Sequence, residues 1–327
     1  MMLLKKSKKK LLKHMIKFVS RLYDKPLAPP TDREKELIRE FRAGFCGLPI
    51  SETTNSSASE KEWYDYSNCL KELVINSDPR EFLRWHVISG TMFVKYAGYV
   101  VPELKYLKGR SDWQNRWREA IKESPTGHPV PYWKYSSSSG NLLHHAYHLA
   151  KFEEKNKMRI NNLNYILEFG GGYGSMCRLI HNLDFQGIYV IFDLPSFSLL
   201  QQFFLKSIGT KVHSFDSFKT GENGVLCISD LEQLRKILSD PIETSDSMFI
   251  ATWSISEAPI KIRNSILPFV SSFNEFLITY QHQFREINNI VFFENWKALR
   301  KDIEWYEWEI EHMPENRYLL GKRKPNY

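Results

Sequence analysis

The residues best suited to hold a ligand fall in one short window. Glu168 is followed by Gly170, Gly171, Gly172 and Gly174, with Tyr173 between the last two. Glycine lets the main chain turn sharply and bring its N–H groups against a ligand without Cβ atoms in the way. Asp193 stands 19 residues beyond Gly174. An acid about 20 residues past a glycine turn is suited to accept hydrogen bonds from ribose hydroxyls. A backbone cradle followed by such a carboxylate describes a grip on a nucleoside-bearing ligand.

Those residues need a strand before the turn and a helix after it. Residues 165–167 are an apolar run leading into Glu168, and 175–180 carry helical spacing, which is the opening unit of a doubly wound sheet. Residues 187–192 predict a second buried strand that ends at Asp193, and Leu194-Pro195 starts the next helix, with Phe197, Leu200, Phe203 and Phe204 on its inner face. Further on, 211–215 and 224–228 compete for the third core strand, 248–252 predicts the fourth and 275–280 the fifth. Segments 305–310 and 317–322 predict a closing hairpin that turns at 312–316.

The glycine spacing chooses between ligands. A dinucleotide fingerprint, G-x-G-x-x-G, fails in both frames, because its third glycine falls on Ser175 or Cys177. The gap-free match is E-x-G-x-G-x-G from Glu168 to Gly174. Here the chain resembles the class I S-adenosylmethionine-dependent methyltransferases. The resemblance implies an α/β, Rossmann-like seven-stranded sheet whose last strand runs antiparallel between strands five and six. It implies S-adenosyl-L-methionine as cofactor, held by Glu168, Gly170, Gly171, Gly172, Tyr173, Gly174, Asp193, Leu194, Thr252 and Trp253. A polar residue after the third strand would meet the adenine amine, with Asp216 and Asp230 competing for that role. The stretches Leu-Glu-Phe-Gly-Gly-Gly-Tyr-Gly, Phe-Asp-Leu-Pro and Ala-Thr-Trp-Ser-Ile-Ser-Glu look like the bacterial sugar O-methyltransferases, which implies a sugar hydroxyl as acceptor and a place in surface-glycan biosynthesis.

Methyl transfer to oxygen requires in-line alignment, exclusion of water and removal of the hydroxyl proton. Ligands in open α/β sheets bind at the carboxyl ends of the strands. The base is therefore expected after strand four, five or six, where Glu257, His282 and His312 stand. Histidine suits general-base work near neutral pH. The expected arrangement has His282 as base, Glu257 orienting it or gripping substrate, and His312 in reserve, with Trp253 and Tyr280 available to stack on a sugar face.

The rest of the chain positions this core. At 327 residues, 42% of them hydrophobic, the chain can bury a large globular core. Its four cysteines form no C-x-x-C pair, which fits a reducing compartment and no disulfide framework. No apolar run reaches membrane-spanning length, so a cytoplasmic protein is expected. Residues 1–25 carry nine Lys/Arg against Asp24, leaving the body close to neutral and without the basic face of a nucleic-acid-binding domain. Leu4, Leu11, Met15, Phe18, Val19 and Leu22 share one helical face of that tail, so the tail is read as a basic amphipathic helix for peripheral contact with an anionic membrane.

Residues 26–140 are expected to form a helical N-terminal region that walls and lids the site: a capped helix from Thr31, a loop at 47–59, helices through 60–99 broken at Pro79, packed Trp113, Trp117 and Ile121, and a serine-rich turn at 135–140. The catalytic domain is expected to span 141–327 and to open on a helix bearing His144, His145 and His148. His144 and His148 share a face, but no H-E-x-x-H acid accompanies them, so no metal is expected. Two other readings compete: an NAD-linked sugar oxidoreductase or epimerase, against which the missing third glycine speaks, and a non-catalytic, membrane-docked scaffold on the same fold.

Overall fold

The computed structural model describes residues 14–15, 18–19, 22–48, 58–218, 222–239 and 246–325. Most of the basic tail, including Leu4 and Leu11, and most of the expected loop at 47–59 lie outside the described residues. Of the tail positions described, Met15, Phe18 and Leu22 are exposed. Among the described residues, no helix is long and apolar enough to cross a membrane.

The N-terminal region comprises α1 (Asp32–Gly47), α2 (Ala58–Asn76), α3 (His86–Thr91) and α4 (Val100–Lys108). Thr31 and Glu34 close a reciprocal capping box at the start of α1. The hinted serine-rich turn is instead a small hairpin, β1 (Pro131–Tyr132) and β2 (Tyr135–Ser139). Its two-residue turn, Trp133-Lys134, pairs Tyr132 with Tyr135. Trp113, Trp117 and Ile121 are buried.

Next come α5 (Gly140–Asn156), β3 (Tyr165–Phe169), α6 (Ser175–Asn182), β4 (Ile188–Phe192), α7 (Pro195–Ser207), β5 (Val212–His213), β6 (Gly224–Ile228) and α8 (Leu231–Ser239). The chain continues through β7 (Ser247–Thr252), α9 (Ser254–Glu257), α10 (Ile260–Ile266), β8 (Glu275–Gln281), a minor pair β9 (Gln283–Phe284) and β10 (Ile287–Asn288), α11 (Asn289–Leu299), β11 (Ile303–Glu309) and β12 (Asn316–Arg323).

The sheet order is β11-β12-β8-β7-β3-β4-β6-β5. All neighbours are parallel except that β12 runs antiparallel between β8 and β11. That is the expected seven-strand order with the antiparallel last strand, and β6 is the third core strand. The rival segment around 211–215 adds an eighth, two-residue strand at the edge beside β6.

Strands buried on both faces read as continuous apolar runs, and β3 is buried at all five positions. Alternation sends Ile166 to one face and Leu167 to the other. One face packs on α5, α6, α7 and the N-terminal helices, which share a single core cluster; Phe41 of α1 stacks on Phe203 of α7 at 4.4 Å. The opposite face packs on α8, α10 and α11. The carboxyl ends of β3, β4 and β7 therefore open beneath the N-terminal helices.

Candidate active site

At the carboxyl end of β3 the main chain turns through positive φ at Gly170 (71°) and Gly172 (58°). Only glycine enters that region at no steric cost. A Cβ on Gly170 would also lie 2.3 Å from the Cβ of Ser254, so the bend presses directly on the turn after β7. Ser254 Oγ donates to the Phe169 carbonyl at the same contact. The helix α6 begins immediately behind, with Gly174 at its N-cap.

Under the bend, Glu168 is buried and its Oε2 accepts from Tyr189 Oη at 2.9 Å. Burial pushes its carboxyl up to about 8, with the nearby Asp193 adding to the rise and Tyr189 opposing it. A carboxyl near 4.3 in the unfolded chain and near 8 in the fold stabilises the folded state fully below about pH 4, and that contribution is lost as pH rises toward 8. Glu168→Gln removes the ionisation, so its melting temperature is expected to gain on wild type between pH 6 and pH 9; parallel thermal melts across that range check this.

Asp193 closes β4. Its Oδ2 accepts from the Gly172 amide at 3.2 Å and from Gln201 Nε2 at 2.8 Å, while Oδ1 accepts from the Leu194 amide at 2.7 Å. Gln201 also donates to the Gly172 carbonyl at 3.0 Å, so one side chain of α7 locks the strand-end acid to the glycine bend. Burial pushes the Asp193 carboxyl up to about 7, against these hydrogen bonds.

A cavity of about 840 Å³ lies over these groups. It is lined by Glu168, the glycines 170–172, Tyr173, Asp193, Leu194, Thr252, Trp253 and Glu257, which the structure brings together. Its roof comes from Trp63 and Tyr64 of α2, residues 92–95 after α3, Tyr99, and Asn141, His144 and His145 of α5. Gly174 caps α6 just behind this wall. Trp253 holds a left-handed backbone (φ 62°), donates from Nε1 to Asn316 Oδ1 at 2.7 Å, and stacks on the His144 ring at 5.4 Å. A strained non-glycine residue at a strand end is a feature of sites held by their surroundings. Glu257, on the last turn of α9, accepts from Gln281 Nε2 at 3.3 Å, and burial pushes its carboxyl up to about 7.

Several expected residues lie elsewhere. His282 does not line the cavity: its Nε2 sits 3.5 Å from Glu309, and its amide donates to the Glu315 carbonyl. Strand alternation explains this, because Gln281 takes the inward position and contacts both Glu257 and Ser256. His312 is also off the cavity, its Nε2 bonded to Glu103 at 2.8 Å. Tyr280 is fully buried in the core on the opposite face of the sheet, against Phe293, and offers no face to a sugar. Neither aspartate competing for the adenine lines the cavity. Asp216 lies in the turn after β5, and Asp230 caps α8 through the Gln233 amide; Ser229 and Leu231 are the lining residues at that strand end.

Sequence reasoning missed the groups behind the roof. Glu103 is fully buried, and its Oε1 receives both His144 Nδ1 and His312 Nε2 at 2.8 Å. Burial alone would raise this carboxyl, but the two imidazoles hold it below the usual range. His144 Nε2 in turn meets His148 Nε2 at 3.0 Å, and His148 Nδ1 meets Tyr318 Oη. His144 and His148 thus engage one another across a helical turn. Gln201 was the more accessible omission, since it stands two turns past Asp193 on the face that points back to it.

No protein-family model matches the chain, and no curated protein matches it. Likeness to solved structures is distant. PigF with S-adenosylhomocysteine aligns at 12% identity over 90% of this chain and 100% of that one, TM-score 0.36. Magnesium protoporphyrin IX methyltransferase from Synechocystis PCC 6803, with bound S-adenosylmethionine, aligns at 9% identity over 70% and 98%, TM-score 0.34. The Methanococcus jannaschii fibrillarin pre-rRNA processing protein aligns at 12% identity over 52% and 70%, TM-score 0.36.

Proposed function

We propose that the cavity binds S-adenosyl-L-methionine and that the protein transfers its methyl group to a sugar hydroxyl, with Glu257 as the base. The observation that carries this reading is the Asp193 carboxylate locked to the glycine bend by Gln201 and the Gly172 amide. The group fits these residues: the backbone of the glycine bend and the strand-end carboxylate of Asp193 line the same cavity, which is the donor set a nucleoside-bearing ligand needs. When bound, the cofactor supplies an electrophilic methyl group, whose bond to sulfur breaks as the bond to oxygen forms.

The remaining work falls to the chain's own side chains. Asp193 accepts the ribose hydroxyls. The roof from α2, α5 and residues 92–95 excludes water. Glu257 receives the proton of the acceptor hydroxyl, and a carboxyl near 7 suits that task at neutral pH. The aromatic faces of Trp63, Tyr64, Tyr99 and Trp253 around the cavity favour a sugar ring, and the sequence likeness to sugar O-methyltransferases points the same way. Isothermal titration of the full chain separates the cofactor classes: S-adenosylhomocysteine is expected to bind and NAD not to, and the reverse result overturns the assignment.

For the basic tail, the reading that residues 1–25 rest on an anionic membrane is supported by the exposed Met15, Phe18 and Leu22. Co-sedimentation with phosphatidylglycerol vesicles is expected to fall sharply when residues 1–25 are removed. Equal pelleting of both forms removes the idea.

A further inference from the structure

One imidazole in the cavity wall has a buried ring nitrogen with no protein partner. His145 follows His144 on α5, with ring centroids 6.5 Å apart. His144 spends Nδ1 on Glu103 and Nε2 on His148. The His145 ring lines the cavity, yet its Nδ1 is sealed from solvent with no hydrogen-bond partner. A buried polar atom left unpaired in a folded protein is rare; because Nδ1 is sealed, a ligand in the cavity meets the ring at its half-buried edge, or at Nδ1 once the ring turns about its Cβ–Cγ bond.

The charges around it narrow that partner. The described lining residues supply four carboxyl groups (Glu60, Glu168, Asp193, Glu257) and one ammonium (Lys95), with no guanidinium among them. The segment joining Leu48 to Ala58 contains no Lys or Arg either. Phosphate and carboxylate groups are characteristically read by the bidentate fork of arginine. With Glu168 and Asp193 at the glycine bend, an anion on the remaining wall would face Glu60 and Glu257 against Lys95 alone.

We propose that the part of the acceptor entering this cavity is an uncharged, hydroxyl-bearing group and that His145 hydrogen-bonds it. This rests on the reading of the cavity as a methyl-transfer site. A neutral imidazole offers one donor and one acceptor, and a hydroxyl group matches either. Burial, with His144 adding, pushes the His145 ring down to about 3, so it stays uncharged at ordinary pH and forms no ion pair with an anionic sugar. A charged carrier on the acceptor, if there is one, therefore lies outside the cavity.

The test uses the full chain saturated with S-adenosylhomocysteine. Ring ¹⁵N resonances of His145 are followed by NMR while methyl glycosides of glucose, galactose, mannose and rhamnose are titrated against glucose 6-phosphate, mannose 6-phosphate and glucuronate. At least one neutral glycoside is expected to shift His145 at a tenfold lower concentration than any anionic sugar. His145→Ala is expected to bind S-adenosylhomocysteine within twofold of wild type while losing the glycoside signal in ligand-observed saturation transfer. His145→Gln serves if the alanine variant does not fold. A tenfold loss of S-adenosylhomocysteine affinity in the variant assigns the ring to the cofactor and overturns the proposal. So does an equal or stronger response to the anionic sugars, or no response to any neutral glycoside. Failure of wild type to bind S-adenosylhomocysteine at all would instead be failure of the underlying reading.

Discussion

Asp193→Ala is expected to weaken S-adenosylhomocysteine binding about 100-fold or more, with the fold intact by thermal melt. Two hydroxyls donating to one carboxylate make charge-assisted bonds worth about 1.5–3 kcal/mol each, and about 1.4 kcal/mol is a tenfold change in affinity. The variant also leaves the Gly172 amide and Gln201 without their acceptor, which loosens the bend itself. Calorimetric titration measures the loss; a change under threefold would place the ribose elsewhere. The same carboxylate sets a pH dependence. Burial pushes it up to about 7 in the free protein, and donation from two hydroxyls favours its charged form, so the bound pKa is lower. Affinity therefore rises with pH, by about tenfold between pH 6 and pH 8, and a flat profile would contradict the contact.

Glu257→Gln is expected to cut kcat by about 10²–10⁴, the range ascribed to a positioned general base. S-adenosylhomocysteine affinity is expected to stay within about twofold, because the base acts on the acceptor side. The amide preserves shape and can still pair with Gln281, so the loss reports on proton transfer and not on packing. In wild type, activity is expected to rise with pH through about 7, as the carboxyl ionises, and the variant to lose that limb. A variant with full turnover would leave Glu257 as a wall residue.

The glycine bend and its strand-end acid were legible in the sequence because their parts are local. Strand, bend, helix and strand-end acid fall within 30 residues, and each imposes its own residue types: apolar runs for β3 and β4, glycine where φ is positive, an acid at the carboxyl end. The opposite wall of the cavity was not, for two physical reasons. Choosing His282 depended on where β8 stops, and a one-residue shift in a strand reverses which side chain faces inward; Gln281 holds the position that histidine was assigned. The groups behind the roof come from distant parts of the chain. Glu103 meets His144 across 41 positions and His312 across 209, and no periodicity or spacing relates them. Asp216 and Asp230 lie off the cavity lining for a similar reason, since turning after β5 and capping α8 use the same residue type.

The doubly occupied Glu103 has a consequence for how the N-terminal third can behave. A dry carboxylate clamped by imidazoles from two other segments cannot be parted from them without stranding charge in an apolar interior, at a cost of several kcal/mol. The N-terminal helices are thus riveted to the sheet at this point instead of hinged on it. Entry of ligands must rely on small local movements at the cavity mouth, and the chain should melt in a single cooperative step, with no surviving fragment when residues 1–108, which carry Glu103, are cut away.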